Sequence, residues 1–173
     1  MNDKDISVGR SGDAQAHDPC APQMLVVFRA GDLRLGIDAR QVREVTRAIP
    51  LSVPLPNARW LAGMITLRGQ STAVVDLNAV LGVPGNERDR QARMISIHRD
   101  GDPVCLLVDR VDGLLEVVDA ELEPAPEIVA DVNIRWIDRL ARPETGELIV
   151  VINVSRILSQ VSLESSEAER AHV

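Results

Sequence analysis

Aromatic residues are almost missing from this chain: Phe28, Trp60 and Trp136 are all it has, and tyrosine is absent. A core must therefore be aliphatic, and an apolar content of 45% supplies it, with a β-branched share that leans towards sheet. Few rings and a net charge of −7 also argue against nucleic-acid partners, which call for a basic groove and stacking platforms. Lysine is scarce too; Lys4 is the only one, and every other basic residue is arginine, a bias of composition and not a motif. The two cysteines, Cys20 and Cys105, lie far apart, without C-x-x-C spacing or a nearby histidine, so no metal, cofactor or redox site is expected and a reduced cytoplasmic compartment fits best. No apolar run approaches a membrane span and the N-terminus does not read as a signal peptide, which predicts a soluble protein with no direct membrane insertion.

What is present organises into a body between two polar ends. Residues 1–21 and 161–173 lack periodic apolar patterning and are expected to be tails, each carrying −2 and leaving −3 on the body. The body, 22–160, resembles itself. "VVFRAGDLRLGID" reads as a hairpin turning at Gly31 and Asp32, and "ISIHRDGDPVCLLVD" repeats the scheme with its turn at Gly101 and Asp102. Later, "VVDLNAVLG" and "VINVSRILS" each run from a strand into a capping residue, Asp76 or Asn153, and then a short amphipathic helix. Two related subdomains, about 23–88 and 89–160, follow from this. Further strands are expected at 42–47, 60–69, 71–76, 112–118, 132–140 and 147–152, which gives an all-β architecture of small barrels.

No catalytic constellation emerges. His17 and His172 sit in the tails, and His98 reads as a surface histidine at a strand end. Asp109 and Asp112, beside Arg110, read as solvated turn residues, and Asp76 as a helix cap. Arg68 stands out, because it follows the apolar run "WLAGMITL" and precedes Gly69. An unpaired buried guanidinium is very costly, so it must reach solvent or meet a carboxylate, for which Glu44 in "VREVTR" is the candidate. A structural ion pair, an exposed turn arginine, and an anchor on a recognition surface all fit that pattern.

The order of "VFRAGDLRLGID", "VREV", "VPLPNARWLAGMITLRGQSTAVVDLNAVLG", "CLLVDRVDGLLEV" and "LIVVINVSRIL" resembles the CheW-like family of chemotaxis coupling proteins over about 23–160. The family pattern G-x-x-N-L-R-G-x-x-x-P-V-x-D-L is met by Gly63, Leu67, Arg68, Gly69, Val74, Asp76 and Leu77, while Thr66 replaces its asparagine and Ala73 its proline. The glycine-rich turn usual in the second half is replaced by "IRWIDRLARPETGEL". The resemblance implies two intertwined five-stranded SH3-like barrels and a non-enzymatic adaptor. Such an adaptor bridges the cytoplasmic tips of chemoreceptors to the regulatory domain of a CheA-type histidine kinase, in chemotaxis or in another chemosensory array. It also implies that Arg68 pairs with Glu44, that Leu67 to Gly69 lie near the receptor-binding groove between subdomains, and that Thr66 alters the polar surface beside Arg68. Val42, Val45 and Ile65 are candidates for the apolar part of a docking surface, against the plainer reading of each as core.

Overall fold

The apolar runs in "QMLVVFRA" and "LRLGID" bury both faces of each segment, and the two form an antiparallel hairpin, β1 (Gln23–Ala30) and β2 (Leu33–Asp38), closed at Gly31 and Asp32. The computed structural model describes residues 22–54, 59–85, 90–97, 103–125, 134–144 and 146–161. The remaining strands are β3 (Val42–Arg47), β4 (Val53–Pro54), β5 (Leu61–Leu67), β6 (Gln70–Asp76), β7 (Arg93–Ile97), β8 (Val104–Val108), β9 (Arg110–Val117), β10 (Leu122–Pro124), β11 (Ile137–Ala141) and β12 (Ile149–Ile152). Helix α1 (Leu77–Leu81) follows β6, and a helical stretch over 154–161 follows β12.

These strands form two sheets of the same plan, ordered β9-β1-β2-β12-β11-β10 and β3-β7-β8-β6-β5-β4. Each hairpin therefore sits in the sheet built by the other part of the chain: β1–β2 joins β9–β12, and β7–β8 joins β3–β6. The exchange is sealed by two parallel pairings, β2 with β12 and β8 with β6. Even the irregularities correspond, since Arg43 is the extra residue of a bulge facing β7 and Asp112 that of a bulge facing β1. The sheets thus interlock as expected, with six strands each in place of five because the short β4 and β10 extend one edge of each.

Three apolar clusters fill this frame. One lies inside each curled sheet, around Leu25, Val27 and Ile149 in the first and Ile65, Val74 and Met94 in the second. The third and largest joins them, through Phe28, Leu35, Ile95, Leu106 and both tryptophans. Trp60 and Trp136 meet edge to face, 5.7 Å between ring centres, and a guanidinium covers each, Arg59 at 5.1 Å and Arg135 at 5.5 Å. Their carbonyls play matching parts: that of Trp60 accepts from the Asp76 amide at 2.8 Å and that of Trp136 from the Asn153 amide at 2.7 Å. Asp76 then caps α1 by accepting from the amides of Asn78 and Ala79, and Asn153 accepts from that of Arg156 at 3.0 Å, so both predicted caps are present. The packing is closest at Gly36, where an added Cβ would meet Ile149 Cγ2 at 3.0 Å across the β2–β12 pairing.

Two expectations change. The strand expected over 132–140 starts only at Ile137, because Ile134–Trp136 forms a 3₁₀ turn that directs Trp136 into the shared core. Asp109 and Asp112 are not isolated turn residues: both hold structural contacts, although Asp112 stays exposed. Asp109 sits where the chain leaves β8 for β9, accepting from the Gly31 amide at 2.7 Å and from Asn78 Nδ2 at 2.9 Å, and so ties a hairpin of one sheet to the helix of the other. Asp112, pushed out of the ladder by its bulge, accepts from Arg110 Nε at 2.9 Å and pairs with Arg29 Nε at 3.4 Å and Arg34 Nε at 3.8 Å. Arg29 also pairs with Glu147 at 2.6 Å, and these carboxylates, Glu147 first, hold its guanidinium more firmly protonated than an isolated one. The turn at Gly101 and Asp102, the three histidines, Cys20 and both predicted tails beyond residue 161 and before 22 lie outside the described residues.

Candidate functional site

The β5–β6 hairpin explains why an arginine follows an apolar run. Leu67 is opposite Gln70, which leaves Arg68 and Gly69 as a two-residue turn, with φ of +51° and +80°. Two successive left-handed residues make a type I′ turn, whose hand matches the twist of the strands. Gly69 takes that conformation freely, whereas Arg68 takes it at a steric cost. The arginine is therefore not a strand residue at all. Before it, the strand alternates: Ile65 is buried inside the second sheet, Thr66 is exposed, and Leu67 is partly buried against the Ile65 cluster.

Glu44 reaches the turn from β3, at the opposite edge of the same sheet. Arg68 Nη2 donates to Glu44 Oε2 at 2.7 Å. The pair is lopsided: the Arg68 side chain is 69% exposed and that of Glu44 only 19%. A carboxylate at the mouth of the curled sheet is thus capped by a cation from outside, and its other oxygen, Oε1, is buried with no hydrogen-bond partner among the described residues. Because Glu44 is largely withdrawn from water, it relies on Arg68 more than a surface pair would.

Behind this pair runs a transverse row, Glu44 on β3, Ser96 on β7 and Cys105 on β8, each opposite the next. Ser96 and Cys105 are buried. Burial pushes the Cys105 thiol above its usual range and the charge of Glu44 adds to this, while the Ser96 hydroxyl opposes it. A raised thiol pKa means less thiolate at any working pH, so Cys105 is a packing residue and not a nucleophile. In a Cys20→Ser variant, an aromatic disulfide reagent at mildly alkaline pH is expected to titrate no thiol in the native state and one in denaturant. Fast native reaction would contradict the closed barrel.

Of the eight residues singled out in the sequence, Glu44, Thr66, Arg68 and Gly69 gather at this rim. Val45 is outward on β3, 40% exposed, while Val42 packs partly against the shared core and Ile65 and Leu67 pack inside the second sheet. The sequence reading passed over other exposed apolar side chains, Leu114 at 66% and Val118 at 46% on or beside β9. They occupy on and just past β9 the places that Val45 and Ile49 occupy on and just past β3, a correspondence that only the matched bulges reveal. Among the described residues, no cluster of histidine, cysteine, aspartate and glutamate could hold a metal ion, and no helix is long and apolar enough to cross a membrane.

Comparison with known proteins agrees with this architecture. The model of the CheW-like domain matches residues 24–162. Chemotaxis protein CheW of Rhizobium meliloti (strain 1021) is 29% identical over 143 residues, 82% of this chain and 91% of that protein. Chemotaxis protein CheW of Bacillus subtilis (strain 168) is 27% identical over 150 residues, 86% of this chain and 95% of that protein. Protein FrzA of Myxococcus xanthus is 34% identical over 106 residues, 60% of this chain and 65% of that protein. The scaffolding protein TtCheW from Thermoanaerobacter tengcongensis has the same fold, with a TM-score of 0.70 and 23% identity over 77% of this chain and 90% of that one. A family match spanning nearly the whole body, on two interlocked sheets with an Arg-Gly turn at the rim, makes this chain a member of the CheW-like family, whose members are non-enzymatic chemotaxis adaptors and scaffolds.

Proposed function

We propose that this chain couples the cytoplasmic tips of chemoreceptors to the regulatory domain of a CheA-type histidine kinase, acting in the cytoplasm at receptor arrays. The observation that carries this reading is the exposed Arg68 guanidinium, held by Glu44 on a tight turn with donors to spare for a partner. A fixed, planar fork of donors suits recognition of a carboxylate or of main-chain carbonyls on another protein. Thr66, Gly69 and Val45 flank it as contacts, and Val42, Ile65 and Leu67 support it from behind. Coupling then needs no chemistry. A receptor shift that changes the geometry or affinity at one surface biases the kinase bound at another by their difference in binding free energy.

The test is a double-mutant cycle on binding to the kinase regulatory domain. Arg68→Ala and Glu44→Ala are each expected to weaken binding, with a coupling of about 1 kcal/mol, so that the double variant loses less than the two losses combined. Folded single variants that bind as the wild type does would remove the pair from the interface.

A further inference from the structure

The rims of the two sheets are opposite in charge. At the second, the withdrawn group is a carboxylate, Glu44, and the exposed one is Arg68 on the β5–β6 turn. The first inverts this. Arg29 continues the inward face of Leu25 and Val27 towards the end of β1, with Arg34 directly opposite it on β2 and Arg110 directly opposite it on β9. Three guanidiniums thus stand side by side on adjacent strands, a placement that is repulsive unless anions accompany it. Asp112 serves all three, through Nε of Arg110 at 2.9 Å, of Arg29 at 3.4 Å and of Arg34 at 3.8 Å. Glu147, on the connection from β11 to β12, adds a second carboxylate to Arg29 Nη2 at 2.6 Å.

This cluster is one anion short and unevenly covered. Nε of Arg29 and Nε of Arg34 are buried with no hydrogen-bond partner among the described residues. Their side chains are 25% and 22% exposed, whereas that of Glu147 is 63% exposed, the highest in the cluster. Gly146 lets the connection lie against Arg34, since a Cβ there would meet Nη1 at 3.2 Å. A well-seated cationic row therefore carries a carboxylate that water can reach and a stronger anion can displace.

We propose that this rim is an anion site that Glu147 occupies in the free protein, and that a free phosphate dianion displaces Glu147 and binds across Arg29, Arg34 and Arg110. With Glu147 withdrawn, three guanidiniums face one carboxylate, and the excess of two positive charges matches a dianion better than a single carboxylate. Guanidinium forks suit phosphate oxygens, which can accept from more than one arginine at once. Glu147 is tethered beside the site and competes from within the molecule, so it weakens phosphate binding, and its removal is the informative change. The inference goes beyond the adaptor reading and does not depend on it.

Calorimetric titration of the full chain with inorganic phosphate tests it, at mildly alkaline pH and constant ionic strength. One saturable site is expected, and Glu147→Gln is expected to bind phosphate about tenfold more tightly than the wild type. Arg34→Gln or Arg110→Gln, added to Glu147→Gln, is expected to reverse that gain. Circular dichroism checks the fold of each, and the exposed position of Arg110 keeps at least that variant folded. Sulfate is expected to compete with phosphate, and acetate at the same concentration is not. A Glu147→Gln variant that binds phosphate no more tightly than the wild type, or full affinity after loss of either arginine, would overturn the proposal. Acetate competing as well as sulfate would also overturn it, since the site would then read a single charge and not a dianion.

Discussion

Trp136→Ala is expected to lower the free energy of unfolding by about 3–5 kcal/mol, the range for emptying a large aromatic site in a core. Trp136 is 2% exposed and lies where the two sheets meet, edge to face with Trp60. Its loss removes contacts on both sides of that junction and cannot be relieved by collapse of one sheet alone. Trp136→Phe supplies the contrast. The indole N–H of Trp136 is buried without a hydrogen-bond partner among the described residues, so phenylalanine gives up volume but also removes an unsatisfied donor, and a loss of only about 1 kcal/mol is expected. Chemical denaturation of both variants, followed by circular dichroism and by the remaining tryptophan, measures this. One shared transition is expected, because the large cluster spans both sheets. Two separate transitions, or a cheap alanine and a costly phenylalanine, would contradict the shared core.

Asp109→Ala is expected to cost about 2–4 kcal/mol, although no apolar contact is at stake. One carboxylate oxygen accepts from the Gly31 amide at the β1–β2 turn and the other from the Asn78 side chain on α1. Removing it strands two partly covered donors together and unpins the hairpin from α1 of the other sheet. Asp109→Asn can serve only one of the two donors as an acceptor and should fall about midway. Hydrogen exchange is expected to rise first at β1, β2 and α1. A surface-like loss of a few tenths of a kcal/mol would mean the hairpin is held by packing alone.

Much of this was legible from local pattern. The Gly31–Asp32 turn, the Asp76 and Asn153 caps and the apolar faces of the short helices all follow from residues adjacent in sequence. Which hairpin joins which sheet does not, because the deciding contacts are the parallel pairings of β2 with β12 and β8 with β6, between segments far apart in the chain. Arg68 shows a subtler gap. The apolar run before it suggested a strand residue, but the ladder closes at Leu67 and Gln70, and propensity alone does not put arginine at positive φ. Asp112 was misjudged because a bulge, set by pairing with β1, aims it at two arginines of the neighbouring hairpin. One signal was present and unread: Asn-x-Arg-Trp recurs at 57–60 and 133–136, and it marks the junction that both halves share.

The central claim is that this chain bridges two partners, and the most direct measurement is co-sedimentation of a CheA-type kinase regulatory domain with receptor signalling tips displayed on vesicles, with and without this protein. The coupling reading predicts that the kinase domain pellets in proportion to the added chain, saturably, and that Arg68→Ala lowers the amount retained while the variant remains folded. Kinase domain that pellets equally without the chain, or stays in solution when the chain itself is bound to the vesicles, would contradict it.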